Sequence, residues 1–201
     1  MLDRAIRPWI DPPLNAIGRL LARANIGADE VTYTAFAAGM MGALAVLLAQ
    51  PLLGLGLILA GRLLDGLDGA IARATAPTDR GAFLDITLDF IFYGSVPLAF
   101  AALDPWHNAL PAALLIASFY ANGSAFLAFG IMAQKRGLQT SAQGFKSLYY
   151  LAGLAEGFET IVAFSLFCLV PSAFPWVAVA FALMCYVSAG ARLLVAWRSL
   201  T

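Results

Sequence analysis

Apolar residues run along this chain in six long stretches, broken by short polar or charged segments. The stretches are Val31–Ala49, Leu52–Ala72, Gly81–Leu103, Ala109–Ala133, Leu148–Val170 and Phe174–Ala196. Each is close to the ~20 residues needed to cross ~30 Å of hydrocarbon as a helix. Membrane strands are shorter and alternate in polarity, so the pattern predicts an all-α membrane protein with six transmembrane helices. Residues 1–24 differ: Leu2, Ile6, Ile10, Leu14, Ile17, Leu20 and Leu21 alternate with Arg4, Arg7, Arg19 and Arg23. That spacing predicts an amphipathic helix lying in the membrane interface, broken or bent at Pro12-Pro13, with its arginines toward anionic headgroups. No polar linker is long enough to divide the chain, so residues 1–201 read as one domain.

Composition strengthens this picture. Of the 201 residues 61% are hydrophobic and only 12% charged, too few charges to cover a soluble domain. The net charge is zero, but its distribution is not even. With the N-terminus inside, the outer turns near Gln50–Leu53, Asp104–Asn108 and Pro171–Pro175 contain no Lys or Arg. Arg73, Arg80, Lys135, Arg136, Lys146 and Arg198 fall at or near the opposite side, so the positive-inside rule places both termini in the cytoplasm. No secretory leader is evident, because Met1–Trp9 is interrupted by Asp3, Arg4, Arg7 and Pro8. Cys168 and Cys185 lack CxxC spacing and read as small packing residues, and His107 as an interfacial one.

The exception to all this grease is acidic. Asp65-Gly-Leu-Asp68-Gly69-Ala-Ile-Ala72-Arg73 ends the second stretch, and Gly81-Ala-Phe-Leu-Asp85-Ile-Thr-Leu-Asp89 begins the third. At 100° per residue, Asp65, Asp68, Gly69 and Ala72 share an arc of about 100°. Asp85 and Asp89 are one turn apart with Gly81 a turn earlier, so the four acids can meet at one depth between antiparallel neighbours. Carboxylates beside hydrocarbon need cationic partners. Four of them, without imidazole or thiolate, suit Mg²⁺, Mn²⁺ or Ca²⁺, and two such ions would neutralise most of the charge. Gly69 and Ala72 leave a shallow groove for a diphosphate, with Arg73 and Arg80 at its rim. The plainer alternative pairs the acids with Arg62, Arg73 and Arg80 as interhelical salt bridges. A cation pathway or lipid transporter is a further reading, opposed by the clustering of the acids at one end and by the lack of an internal repeat.

The pattern Asp-x2-Asp-Gly-x2-Ala-Arg followed by Gly-x3-Asp-x3-Asp resembles the signature of the CDP-alcohol phosphatidyltransferases, with Asp65, Asp68, Gly69, Ala72, Arg73, Gly81, Asp85 and Asp89 all in place. The resemblance spans essentially the whole chain. The stretches Lys146-Ser-Leu-Tyr-Tyr and Leu-Ala-Glu-Gly-Phe-Glu-Thr resemble a bacterial inner-membrane branch of unnamed acceptor. Two positions depart from the pattern. Seven residues separate Arg73 from Gly81 where eight are common, and Asp29 stands before Thr32 where asparagine is usual. The resemblance implies transfer of a phosphatidyl group from CDP-diacylglycerol to a small alcohol or alcohol phosphate, with release of CMP. It implies two Mg²⁺ or Mn²⁺ ions on Asp65, Asp68, Asp85 and Asp89, with Asp89 also the general base. Diphosphate and nucleotide contacts fall to Asp68, Gly69, Ala72, Arg73, Gly81 and Thr32. Lys146 and Arg192 are candidates for an acceptor phosphate, and Glu156 and Glu159, a turn apart, need partners. A homodimer among membrane lipids is typical of such enzymes, and no nucleic acid is expected. The same machinery run on CDP-linked small alcohols with diacylglycerol as acceptor is the runner-up.

Overall fold

The computed structural model describes residues 2–136 and 155–200, with side chains from residue 8 onward. Among the described residues every regular element is helical. The helices are α1 (Leu2–Arg23), α2 (Ala28–Leu47), α3 (Pro51–Ala74), α4 (Asp79–Leu103), α5 (Pro105–Lys135), α6 (Gly157–Leu169) and α7 (Phe174–Leu200), with a single 3₁₀ turn at Pro171–Ala173. Among the described residues four helices are long and apolar enough to cross a membrane: α2, α4, α5 and the Pro171–Leu200 segment that contains α7. α3 is 24 residues long but carries Arg62, Asp65, Asp68 and Arg73, which lower its hydropathy below that of its neighbours. α6 has 13 residues; residues 148–154 of the fifth stretch, and Lys146, lie outside the described residues.

Local chemistry explains the boundaries. Asn25 and Ala49 take left-handed backbone conformations, each with φ 59°, and turn the chain after α1 and α2. Pro51 opens α3 at a position where its missing N–H is no loss. The Thr78 hydroxyl accepts from the Gly81 N–H at 3.0 Å and caps α4. Asp104 caps α5 by accepting from the His107 N–H, and its other oxygen lies 2.8 Å from His107 Nδ1. His107 thus serves the turn. α1 runs unbroken through Pro12 and Pro13, so of the expected break or bend the break does not occur. Its other end docks on α3, Gly18 against Ala70 and Asn15 against Arg73, and this packing outweighs the local proline signal.

α2 is the spine. α3 and α4 both pack along it rather than closely on each other, α5 joins α4 to α7, and α1 and α6 flank α3. α2 and α3 come together through small residues: a side chain at Gly42 would strike Gly54 O and Ile58, and one at Gly61 would lie 2.9 Å from Ala35 O. The apolar core gathers toward the end bearing the α4–α5 and α6–α7 turns. There Phe100 stacks on Phe174 at 4.7 Å and meets Phe167 edge-on at 5.7 Å. The other end, where α3 finishes and α4 begins, is left to polar groups.

Candidate active site

Because α3 and α4 lean on α2 and stand apart from each other, a gap opens between their facing ends. Asp65 and Asp68 enter it from α3 and Asp85 from α4. Single oxygens of these three carboxylates lie within 4.8 Å of one another. Asp68 is 6% exposed, and its Oδ2 is buried without a hydrogen-bond partner. Like charges held this close repel unless a cation shares them, and an orphaned buried carboxylate oxygen has the same need. Three hard oxygen donors with no sulfur or nitrogen among them fit a divalent ion of the Mg²⁺ or Mn²⁺ kind.

Asp89, expected in the same set, stands outside it. Its Oδ1 accepts from Arg62 Nη1 at 2.6 Å, and its Oδ2 accepts from the Tyr93 hydroxyl at 3.3 Å. The same Arg62 nitrogen lies 3.4 Å from Asp65 Oδ2. The salt-bridge alternative therefore holds for one arginine only, among the described residues. Arg80 pairs with Asp29 at 3.4 Å, and Arg73 donates to Asn15 Oδ1 from Nε and Nη2.

Three cavities meet at the acids. One, of about 600 Å³, is lined by Asp29, Thr32, Asp68, Gly69, Ala72, Arg80, Gly81 and Asp85. It unites all the nucleotide-side residues expected from the sequence except Arg73. Arg73 faces a second cavity of about 700 Å³ between α1, α3 and α6, whose walls include Leu14, Leu59, Leu63, Phe158 and Ile161 beside Asp65 and Asp89. A third, of about 450 Å³, contains Asp89, Tyr93, Asn122, Glu156, Thr160 and Arg192. Asp89 is the acid that borders the second and third. Arg192 lies over the Phe126 ring at 5.1 Å, and its Nε is buried without a hydrogen-bond partner. Lys146, its expected companion, lies outside the described residues. Glu156 sits at the N-cap of α6 and Glu159 in its first turn. Nearby, Asn122 donates toward Ala155 O at 3.5 Å and Ser124 to Ala121 O at 3.1 Å.

Arg62, Tyr93 and Asn15 were not singled out by the aspartate pattern as site residues. Signals for two of them existed. Arg62 is one turn before Asp65 in an apolar helix, where a guanidinium needs acidic company, and Tyr93 is one turn after Asp89. Asn15 carried none, since its contact depends on how α1 docks.

The sequence model of the CDP-alcohol phosphatidyltransferase family matches residues 26–188. Inner membrane protein YnjF of Escherichia coli (strain K12) is 43% identical over 192 residues, covering 96% of this chain and 93% of the relative. Archaetidylinositol phosphate synthase of Pyrococcus horikoshii is 39% identical over 93 residues, 45% of this chain and 49% of that protein. Two crystal structures of the Mycobacterium tuberculosis phosphatidylinositol phosphate synthase PgsA1 superpose with a TM-score of 0.67. One, with CDP-DAG bound, is 20% identical and covers 92% of this chain and 93% of that one. The other, with manganese and citrate, is 22% identical and covers 92% and 88%. At those identities the likeness establishes a shared fold.

Proposed function

The chain belongs to the CDP-alcohol phosphatidyltransferase family, and from that premise we propose that it transfers the phosphatidyl group of CDP-diacylglycerol to the hydroxyl of a small alcohol or alcohol phosphate, releasing CMP. The observation that carries this reading is the three-carboxylate cluster of Asp65, Asp68 and Asp85, which borders two cavities, with Asp89 one turn beyond Asp85 joining the second of them to a third. The polar cavity of Thr32, Asp68, Gly69, Ala72 and Gly81 suits the cytidine diphosphate. The leucine-walled one beside α1 suits the lipid. The cavity with Arg192, Asn122 and Thr160 suits the acceptor.

Asp65, Asp68 and Asp85 would hold a divalent ion, Mg²⁺ or Mn²⁺, which when bound supplies positive charge for the diphosphate and the departing phosphate oxygen. The chain's own residues do the rest. Asp89 borders both the lipid and acceptor cavities, so it can accept the acceptor's hydroxyl proton as that oxygen bonds to the lipid-side phosphorus and the bond to CMP breaks. A carboxylate is a weak base for an alcohol. Most of the acceleration must then come from placement and from preorganised charge. A second ion, as expected from the sequence, needs Asp89 as a ligand and must draw it away from Arg62. With Arg62 in place, its guanidinium provides the positive charge there.

The same reading includes six spans, with α3 and the fifth stretch completing the four, and α1 in the interface of the cytoplasmic leaflet. It includes both termini and the site on the cytoplasmic side, and a homodimeric assembly. The test is CMP release by the purified enzyme from CDP-diacylglycerol with Mg²⁺ or Mn²⁺, across a panel of alcohols and alcohol phosphates, with products identified by mass. Release that requires both metal and acceptor supports the proposal. CMP formed only from CDP-linked alcohols and diacylglycerol would replace it with the reverse assignment of donor and acceptor.

A further inference from the structure

Away from the metal cluster, the cavity assigned to the acceptor has a polarity of its own. Among the described residues its ionic side chains are Asp89, Glu156 and Arg192. Asp89 belongs to the transfer chemistry, so the rest of the acceptor meets Glu156 and Arg192. These two interact electrostatically. Glu156 is the N-cap residue of α6, yet its side chain makes no capping hydrogen bond, so the helix terminus does not account for a carboxylate here. Arg192 lies over the Phe126 ring, its Nε buried with no hydrogen-bond partner among the described residues. Asn122 lines the same cavity, and its Oδ1 is likewise buried without a partner among them. The Thr160 hydroxyl donates to the Glu156 carbonyl at 2.9 Å, which leaves its lone pairs to accept.

A phosphate dianion only accepts hydrogen bonds, and an ammonium group only donates them. The first suits Arg192 but brings a like charge to Glu156 and leaves Asn122 Oδ1 unmet. The second suits Glu156 and Asn122 but gives Arg192 Nε nothing. A hydroxyl both donates and accepts, so a set of hydroxyls answers all of these groups without adding charge. We propose that the acceptor is an uncharged polyol bearing no phosphate, with Asn122 and Glu156 as the residues that select it. The proposal rests on the phosphatidyl-transfer reading and narrows it to one class of acceptor.

The cavity's volume of about 450 Å³ has room for an acceptor of several carbons, and the rings of Phe119 and Phe126 offer apolar faces to its C–H groups. On transfer, the oxygen of one hydroxyl bonds to the lipid-side phosphorus and the bond from that phosphorus to the CMP oxygen breaks. CMP leaves, and the hydroxyl proton passes to Asp89. The product is a phosphodiester lipid with an uncharged headgroup. An alcohol phosphate in the same place would bring a second phosphate, and Arg192, shared with Glu156, is the one cation lining this cavity among the described residues.

The experiment measures CMP release from CDP-diacylglycerol by the full chain in detergent with Mg²⁺, using matched acceptors. These are myo-inositol, sorbitol and glycerol, then myo-inositol 1-phosphate and glycerol 3-phosphate, then serine and ethanolamine. The best polyol is expected to exceed every phosphorylated or amine-bearing alcohol in kcat/KM by at least about tenfold, because a like charge at Glu156 or an unmet donor at Arg192 opposes the others. Asn122→Leu is expected to lower kcat/KM for that polyol about tenfold, with the CDP-diacylglycerol KM within about threefold of the parent. Glu156→Gln should move the ratio of phosphate to polyol at least about fivefold toward the phosphate. Should either variant not elute as a single species, the parent's own ranking of acceptors decides. The proposal is overturned by a phosphorylated or amine-bearing acceptor that outruns every polyol. It is overturned equally by Asn122→Leu slowing all acceptors alike, or by Glu156→Gln leaving the ratio unmoved. A parent that releases no CMP with any acceptor refutes the functional reading instead. Melting in detergent with millimolar myo-inositol or myo-inositol 1-phosphate then decides the cavity's preference. A rise with myo-inositol that Asn122→Leu abolishes upholds it; a rise with the phosphate alone, or with neither, sinks it.

Discussion

At the scale of single residues, the four aspartates are chemically alike and differ only in company. Asp68 has a buried oxygen with no hydrogen-bond partner, whereas each Asp89 oxygen has one. Removing charge from either should therefore have different signatures. Asp68→Asn is expected to weaken Mn²⁺ binding by at least about tenfold and to abolish measurable CMP release, because the proposed function makes Asp68 both a metal ligand and a neighbour of the diphosphate. Asp89→Asn is expected to abolish turnover, by roughly 10²- to 10⁴-fold, while CDP-diacylglycerol binding stays largely intact in an equilibrium assay. Loss of substrate binding with residual activity would contradict the role given to Asp89. Asp89→Asn also leaves the Arg62 guanidinium without its nearest carboxylate. Breaking a buried pair by removing one partner costs about 3–5 kcal/mol, so some loss of thermal stability should accompany the loss of rate.

At the scale of elements, the site depends on how closely α2 and α3 approach. A Cβ at Gly61 would lie 2.9 Å from the Ala35 carbonyl oxygen, a backbone atom that cannot rotate aside. Gly61→Ala should push α3 away, lower the melting temperature in detergent and reduce CMP release, since Arg62 and Asp65 follow on the same turn. Gly56, five residues earlier, has nothing within 4 Å of the equivalent position. Gly56→Ala should leave activity unchanged and melting unchanged or slightly higher, because alanine relieves the entropy cost of a helical glycine of about 0.5–1 kcal/mol. Equal effects at both positions would show that packing against α2 is not what matters.

These elements also mark what could be read from the chain beforehand. Helical periodicity placed Asp65, Asp68, Gly69 and Ala72 on one face because the face depends on residue spacing alone. It brought Asp85 to them because a four-residue link, Thr75–Thr78, leaves α4 little choice of position. Arg62 was legible as a partner for the acids, but not its choice of Asp89 with Tyr93 beside it, because which acid a guanidinium chooses depends on the gap between α3 and α4, and that gap is set by α2. The break allowed for at Pro12 and Pro13 does not occur, for a similar reason. Proline's local penalty is legible in the sequence, but the docking of Gly18 on Ala70 is not.

At the scale of the whole molecule, the two ends are chemically opposed. One end carries the acid cluster and its cavities, with Arg73, Arg80, Lys135 and Arg136 at the adjoining helix termini. At the other, the α4–α5 and α6–α7 turns share a cavity of about 650 Å³ lined by Asp104, His107, Pro171, Ser172 and Pro175, without a lysine or arginine. The proposed function needs a site that a cytosolic nucleotide can reach, and the positive-inside rule favours the basic end as the inner one. The orientation can be tested directly, because Cys168 and Cys185 are each 1% exposed and should contribute little background labelling. Cysteines introduced at the exposed positions Gln50 and Trp106 are expected to react with a membrane-impermeant maleimide in intact cells. Those at the exposed positions Ala76 and Arg136 should react only after permeabilisation. The opposite pattern would put the carboxylates on the wrong side for CDP-diacylglycerol supplied from the cytosol. Reaction of Gln50 and Ala76 from the same side would show that α3, with its four charged residues, fails to cross the membrane at all.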